Sequence, residues 1–411
     1  MNAPRFTLPR TATGAAPVSV ALGAAMFATC FAGWLFKSHC LAGGWTGAEQ
    51  YTTGCYSDVV PFWLGRGVAA GQVPYFQVPI EYPVLTGLQI GLEGLIARLI
   101  GGAHANDAYF LGVVAFVNAA IAWEMLWMFA MAGVDRRRLW AWAVAPPLIL
   151  YLGHNWDMAA VGLAAAAMLR ARRGHLAHAA ALAGLGAAAK LFPALLLPVF
   201  GLAALVEPGQ TLQRRIARAG AAAAAAIAAW GLVNLPVALL AFDNWSMFYR
   251  FSQSRPGTAA SLWEIAAHYR GWFAAIDARN LAASIVFLGG ALAILGIGGW
   301  RHRDRLWVLG TPLIAWFLLT NKVYSPQFDL WLYPLLLLTA PRLVPVALFA
   351  LADLAAYFAE FWWFAGMEHA SPAGSYDMIA VAAGLRALVL LWLIADALLR
   401  APPEWVRRRG D

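Results

Sequence analysis

The chain alternates long apolar runs with short polar corners. A membrane-spanning helix needs roughly 17–25 mostly apolar residues. Twelve runs come near that length, at about 15–36, 108–132, 139–154, 157–171, 176–189, 191–206, 217–241, 281–299, 306–320, 328–341, 343–365 and 377–399. A further run, 83–101 (PVLTGLQIGLEGLIARLIG), carries Glu93 and Arg98. We read it as an amphipathic helix in the membrane interface; the alternative is an ordinary span with a compensating miscount later. The pattern predicts an all-α polytopic membrane protein, a single integral-membrane domain over 1–411 with about twelve transmembrane helices plus that interfacial helix. The interfacial helix falls in a first outer loop at 37–107, and a second large outer loop covers 242–280.

Composition agrees with this pattern. The 411 residues are 62% hydrophobic and 12% charged, against about 45–50% apolar and about 25% charged in soluble domains. That excludes a soluble enzyme, a disordered regulator or a nucleic-acid-binding domain as a reading of the whole chain. The net charge is +8, and its distribution matters more than its sum. Arg residues cluster at 5 and 10, 136–138, 170–173, 214–218, 301–305 and 407–409. Positively charged loops stay cytoplasmic, so all six clusters are expected inside, and twelve crossings return the C-terminus there. If 83–101 spanned, Arg136, Arg137 and Arg138 would fall outside and every later cluster would invert. The first apolar run is longer than the roughly 7–15 residues of a signal-peptide core, so an uncleaved first helix is expected. No appended soluble domain and no internal repeat of the transporter kind is visible.

This topology gathers the unusual polar residues on the outer side. Only three basic residues are lysines, Lys37, Lys190 and Lys322, and all fall there. Cys40 and Cys55 share the first outer loop, where an oxidising compartment favours a disulfide; the alternative is two unpaired thiols. Cys30 lies in the first helix and suits packing. No Cys/His spacing resembles a zinc site. No cofactor is implied, and a divalent metal is compatible but not required.

Asp58, in CYSDVVPFW, is the leading catalytic candidate, because a partly desolvated carboxylate can serve as a general base. Its bland alternative is a helix N-cap, which Asp also favours. Glu81, before Tyr82 and Pro83, could orient a sugar hydroxyl or bind a cation, or simply favour a helix start. Asp157 in HNWD faces the same choice, His154 suits a hydrogen-bonded interfacial histidine, and Trp156 suits the aromatic belt. Lys190 sits in an apolar stretch, AAAKLFPALLLP. A cation there is a functional hypothesis by default, with snorkelling to the headgroups as the alternative. Lys190, Arg255 and Lys322 together would hold a phosphate at the membrane surface.

Taken in order, these motifs resemble the GT-C superfamily of integral-membrane glycosyltransferases. The likeness is to the actinobacterial branch that takes mannose or arabinofuranose from a polyprenyl phosphate. CYSDVVPFWLGRG, PYF and EYPVLTG resemble its first outer loop, AAAKLFP a turn that places a Lys beside the lipid phosphate, NWD a recurrent corner, and NKVYSPQFDLWLYP a late outer segment. The resemblance covers residue 55 to about 335. It implies Asp58 as the base and Lys190, Arg255 and Lys322 on the donor phosphate. Glu81, Tyr82, His154, Asp157, Tyr324 and Gln327 would contact the sugar or acceptor. The implied partners are a polyprenyl-phosphate-linked sugar, a glycolipid or polysaccharide acceptor and membrane lipids, with no nucleic acid. The implied location is a bacterial plasma membrane, with the site on the periplasmic or extracellular side. Asp58 lacks the adjacent acid found in several members, which weakens any case for a catalytic metal. Two rival readings are a transporter or lipid flippase, which would use the within-span charges Glu124, Asp353, Glu360 and Arg386, and a non-catalytic assembly partner.

Overall fold

The computed structural model describes residues 18–43, 45 and 47–407. Arg5, Arg10, Arg408 and Arg409 of the expected basic clusters lie outside them. Nineteen α-helices follow one another: α1 (Val20–Ser38), α2 (Glu49–Thr52), α3 (Val59–Gly65), α4 (Val84–Gly101), α5 (Asp107–Met131), α6 (Arg136–Ala143), α7 (Pro146–Tyr151), α8 (Met158–Arg172), α9 (Leu176–Ala189) and α10 (Leu197–Leu205), then α11 (Leu212–Leu240), α12 (Phe242–Ser254), α13 (Leu262–Arg270), α14 (Ile276–Arg301), α15 (Gly310–Thr320), α16 (Phe328–Thr339), α17 (Val344–Met367), α18 (Tyr376–Leu399) and α19 (Glu404–Arg407). No strand occurs among the described residues.

Local chemistry sets the helix ends. Ser19, Asn106, Asp135, Thr211, Ser261 and Ser375 cap helix N-termini by accepting from backbone N–H groups, as short polar side chains do. The apolar run expected at 139–154 is instead two short helices, α6 and α7. Pro146 and Pro147 cause the break: proline has no N–H to donate and suits only a helix's first turn.

Among the described residues, seven helices are long and apolar enough to cross a membrane: α1, α4, α5, α11, α14, α17 and α18. Several turn apolar side chains outward, with Ile227 and Leu239 of α11 and Leu292 of α14 at least 70% exposed. A soluble protein does not display such faces; lipid covers them, and the fold is that of a multi-pass membrane protein. The shorter apolar helices are central, and every residue of α16 is buried.

Three of the Arg clusters meet at one end of the bundle. Arg138 donates to the Leu337 and Ala340 carbonyls at the end of α16 (2.9 and 2.8 Å). Arg172 donates to the Ala132 carbonyl after α5 (2.7 Å) and to that of Trp405 (2.9 Å). Arg218 reaches the Gly174 carbonyl (3.3 Å). The opposite end holds the start of α8 and α16, the end of α9 and α15, and a cavity of about 580 Å³.

Helix α4 touches this second end at two points. Thr86 donates to the Ala189 carbonyl at the end of α9 (2.7 Å), and Glu93 accepts from the Trp156 indole just before α8 (2.8 Å). Seven residues separate the two contacts, about 10 Å along a helix axis.

Candidate functional site

Asp58 is held in place from three directions. Its N–H donates to the His154 carbonyl (2.8 Å), which ties the first loop to the HNWD corner. Ser57 donates to the Gly153 carbonyl (2.6 Å) and accepts from the Val59 N–H (3.1 Å). Ser57 thus takes the first N–H of α3, and the Asp58 side chain caps nothing. Its carboxylate accepts instead from the Tyr56 hydroxyl (2.9 Å) and, at 3.4 Å, from that of Tyr82. Asp58 is partly exposed, and it lines the cavity.

The segment before Asp58 is anchored from below. Cys40 and Cys55 form a disulfide, with Cα atoms 6.3 Å apart. Lys37, fully buried, donates to the Tyr56 carbonyl (2.7 Å), the Gly54 carbonyl (3.2 Å) and the Tyr357 hydroxyl (2.5 Å). Its amine is also 3.3 Å from His154 Nδ1; with the ammonium donating, that nitrogen accepts. Gly54 takes φ +78°, and a Cβ there would meet the Phe36, Phe358 and Tyr357 rings at 3.1–3.2 Å. Only glycine adopts that backbone without cost.

Lys190 and Asp157 form an ion pair at 2.8 Å, with the carboxylate buried and the amine partly exposed. Asp157 stands at the N-cap of α8 without capping it; its second oxygen accepts from the Trp331 indole (2.6 Å). The Lys190 amine lies 4.8 Å from the Tyr82 ring centre and 5.6 Å from that of Trp331, a cation–π arrangement. Glu81 is paired with Arg66 through both oxygens (2.7 and 2.8 Å).

The other two cations are freer. Arg255 packs over the Phe251 ring (5.2 Å) and has no ion-pair or side-chain hydrogen-bond partner among the described residues. Lys322 donates to the Gln253 carbonyl (2.8 Å). Both line the cavity with Lys190. Burial lowers the Arg255 guanidinium from its usual value, partly offset by Tyr82 and Asp58. Burial also lowers Lys322, and the neighbouring Arg255 and Arg279 charges add to this. An anion placed between them would be drawn in strongly. Burial raises the Asp58 carboxyl above the ordinary range, while the Tyr56 hydrogen bond and the Lys190 charge pull it back. The Asp58 charge and burial raise the Tyr56 hydroxyl, so Tyr56 remains a donor to the carboxylate.

Asp58, Glu81, Tyr82, His154, Lys190, Arg255, Lys322 and Gln327 all line this one cavity. Asp157 stands behind it, as the partner of Lys190. Tyr324 does not line it: it is buried, donates to Asp329 (2.5 Å) and lies under the Arg386 guanidinium. Asp329 also pairs with Arg386 (3.0 Å), so Tyr324 belongs to a polar cluster inside the bundle. Trp156 is likewise buried among Phe62, Tyr82 and Phe110, where the aromatic-belt reading put it at the membrane surface. Sequence reasoning missed four residues. Tyr56 was legible as a hydroxyl two positions before the acid. Arg66 lay inside the quoted GRG. Trp331 carried no sign of its role. Glu360 was counted among transport charges, yet it lines the cavity. No protein-family model matches the chain, and no curated protein matches it significantly.

Proposed function

We propose that this protein is a GT-C-like integral-membrane glycosyltransferase. It moves a sugar, mannose in preference to arabinofuranose, from a polyprenyl-phosphate donor to a cell-envelope glycan or glycolipid. One observation carries the reading: a carboxylate that caps no helix and pairs with no cation opens into a cavity shared with three cations. Resemblance of the first-loop, AAAKLFP and NKVYSPQFD motifs supplies the donor class and the preference for mannose.

In the reaction, an acceptor hydroxyl oxygen attacks the anomeric carbon, and its proton passes to Asp58. The bond from that carbon to the phosphate oxygen breaks, and its electron pair leaves with the polyprenyl phosphate. Arg255 and Lys322 stabilise the departing charge. Lys190 stands ready beside them, its charge shared with Asp157. Phosphate is a good leaving group and needs no general acid. A single displacement inverts the anomeric centre. Retention would need a second carboxylate as nucleophile about 5–5.5 Å from the first; Glu81 and Asp157 are each held by a cation, and Glu360, the other carboxylate lining the cavity, is assigned below to the acceptor.

The topology belongs to the same proposal. The chain passes between the cavity end and the Arg end in twelve steps, with α6–α7 acting as one pass. The positive-inside rule puts the Arg end in the cytoplasm and the cavity outside. Helix α4, whose Thr86 and Glu93 bond to the cavity end and whose Arg98 donates to the Val68 carbonyl of the first outer loop, then lies in the outer interface.

The test is transfer of radiolabelled mannose or arabinofuranose from polyprenyl phosphate by the purified protein in lipid, with an envelope glycan and lipid extract as acceptor. Transfer from one donor is expected. Asp58→Asn should lower it by about 10²–10⁴-fold, the usual contribution of a positioned base, with the protein still folded. Well-folded protein that transfers from neither donor would move the reading to transport or assembly. Transfer that survives Asp58→Asn would remove Asp58 from the chemistry.

A further inference from the structure

One wall of the cavity carries no cation. It is built by Tyr51 of α2, by Tyr56, and by Glu360, Phe361 and Phe364 of α17. The rings form a continuous surface. Tyr51 stacks on Tyr56 (6.0 Å) and on Phe361 (6.3 Å), and lies 5.6 Å from Phe364. Tyr56 is 5.3 Å from Phe361. Glu360 is only 4% exposed, and its carboxyl has no hydrogen bond or ion pair among the described residues. A buried acid without a partner is costly unless a ligand supplies one.

Asp58 sits where this wall meets the cationic side. One of its oxygens is held by Tyr56, which belongs to the wall. The other faces Tyr82, which lies under the Lys190 amine. A ligand on the aromatic side and an anion on the other would thus meet at the base. Ring faces suit the apolar C–H face of a sugar ring, because the π-face carries partial negative charge. An acid at the edge accepts from sugar hydroxyls. A cationic ligand also favours aromatic rings and an acid, but Arg255 and Lys322 in the same cavity oppose one.

Building on the transferase reading above, we propose that this wall is the acceptor subsite and that the acceptor presents a sugar ring there. The ring packs against Tyr51, Phe361 and Phe364, Glu360 accepts from one of its hydroxyls, and a second hydroxyl faces Asp58. Glu360 is a specificity-determining residue, and the acceptor is a glycan or the sugar head of a glycolipid rather than a protein side chain.

The experiment measures binding of octyl mannoside and octyl arabinofuranoside to the full chain in nanodiscs by saturation-transfer NMR. Farnesyl phosphate probes the cationic side in parallel. Glu360→Gln should weaken glycoside binding about tenfold, the weight of a hydrogen bond to a charged group, and leave farnesyl phosphate binding unchanged. Phe364→Leu should weaken the glycoside as well. In turnover, both variants should raise the acceptor KM and leave the donor KM in place. Retained farnesyl phosphate binding reports that a variant is folded, and if Glu360→Gln fails that check, Phe364→Leu decides. Glycoside binding unchanged in the folded variants would overturn the subsite, and so would choline displacing the glycoside. Transfer with an unchanged acceptor KM sinks the subsite and leaves the transferase reading standing. Glycoside bound at this wall, weakened by both variants but never glycosylated, leaves the subsite and sinks the transferase reading.

Discussion

At the residue scale, two cavity cations that look alike in sequence are built differently. Lys190 neutralises a buried carboxylate, whereas Arg255 has no ion-pair partner among the described residues. Removing one member of a buried pair costs about 3–5 kcal/mol, because the other charge is left uncompensated. Lys190→Met should therefore lower the thermal unfolding temperature sharply, and adding Asp157→Asn should recover much of the loss. Arg255→Gln leaves no orphaned charge. It should melt like the wild type in scanning fluorimetry while weakening prenyl phosphate binding about tenfold. Equal melting losses in Lys190→Met and Arg255→Gln would contradict this division. Asp58 supports a pH prediction. Burial raises its carboxyl, and a base works only when deprotonated. The acid limb of kcat/KM should lie above the ordinary Asp value of about 4, with activity falling as pH drops through it. A limb at or below that value would rule out the desolvated base, and loss of the limb in Asp58→Asn would assign it. Sequence alone left Asp58 between base and cap. Its side chain caps nothing and turns to Tyr56 and Tyr82 instead, a choice that depends on how the loop is folded in space.

At the element scale, the loop that carries Asp58 is positioned by helix α1 through Lys37. A buried ammonium without a carboxylate must be satisfied by dipoles, here the Gly54 and Tyr56 carbonyls, Tyr357 and His154. Lys37→Met removes the donor to the Tyr56 carbonyl, two residues from the proposed base. Small displacements of a catalytic group can cost about a hundredfold, so kcat should fall by roughly ten- to a hundredfold. Because Lys37 acts through Asp58, Asp58→Asn should cost less in the Lys37→Met background than in the wild type. Strict additivity in that double-mutant cycle, or an undiminished kcat, would separate the two residues. The apolar period made most helices legible, since a span must satisfy its backbone internally. The α6–α7 break was also written in Pro146 and Pro147, but hydropathy outweighed it. Tyr324 shows what periodicity misses. It lies three residues before Gln327, which lines the cavity, and only the fold reveals that its hydroxyl turns inward to Asp329.

At the scale of the whole molecule, charge along the chain and contacts between helices lead to the same two-ended protein. The Arg clusters were legible because each borders an apolar run, and the meeting of three of them at one end follows from the contacts of Arg138, Arg172 and Arg218. The shortness of the central helices was legible only as an anomaly. Its reason is spatial, because α9 and α15 end, and α16 begins, at residues that line the cavity. Helix α4 decides the topology of everything that follows it. It is long and apolar enough to cross, and if it crossed, the turn after it would lie opposite Asp58, with Arg137 on the side of Asp58. If it lies in the interface, the turn at His104 shares a side with the Asp58 loop and Arg137 lies opposite. His104, Gln77 and Arg137 are all exposed. The native thiols give a quiet background, since Cys30 is buried and Cys40 is bonded to Cys55. Single cysteines at the three positions, labelled with a membrane-impermeant maleimide in intact cells and in inverted vesicles, should show His104→Cys and Gln77→Cys reacting from outside and Arg137→Cys from inside. His104→Cys labelled from the side opposite Gln77→Cys would make α4 a span. It would then invert every later helix, and the positive-inside argument for an outward-facing cavity would fall with it.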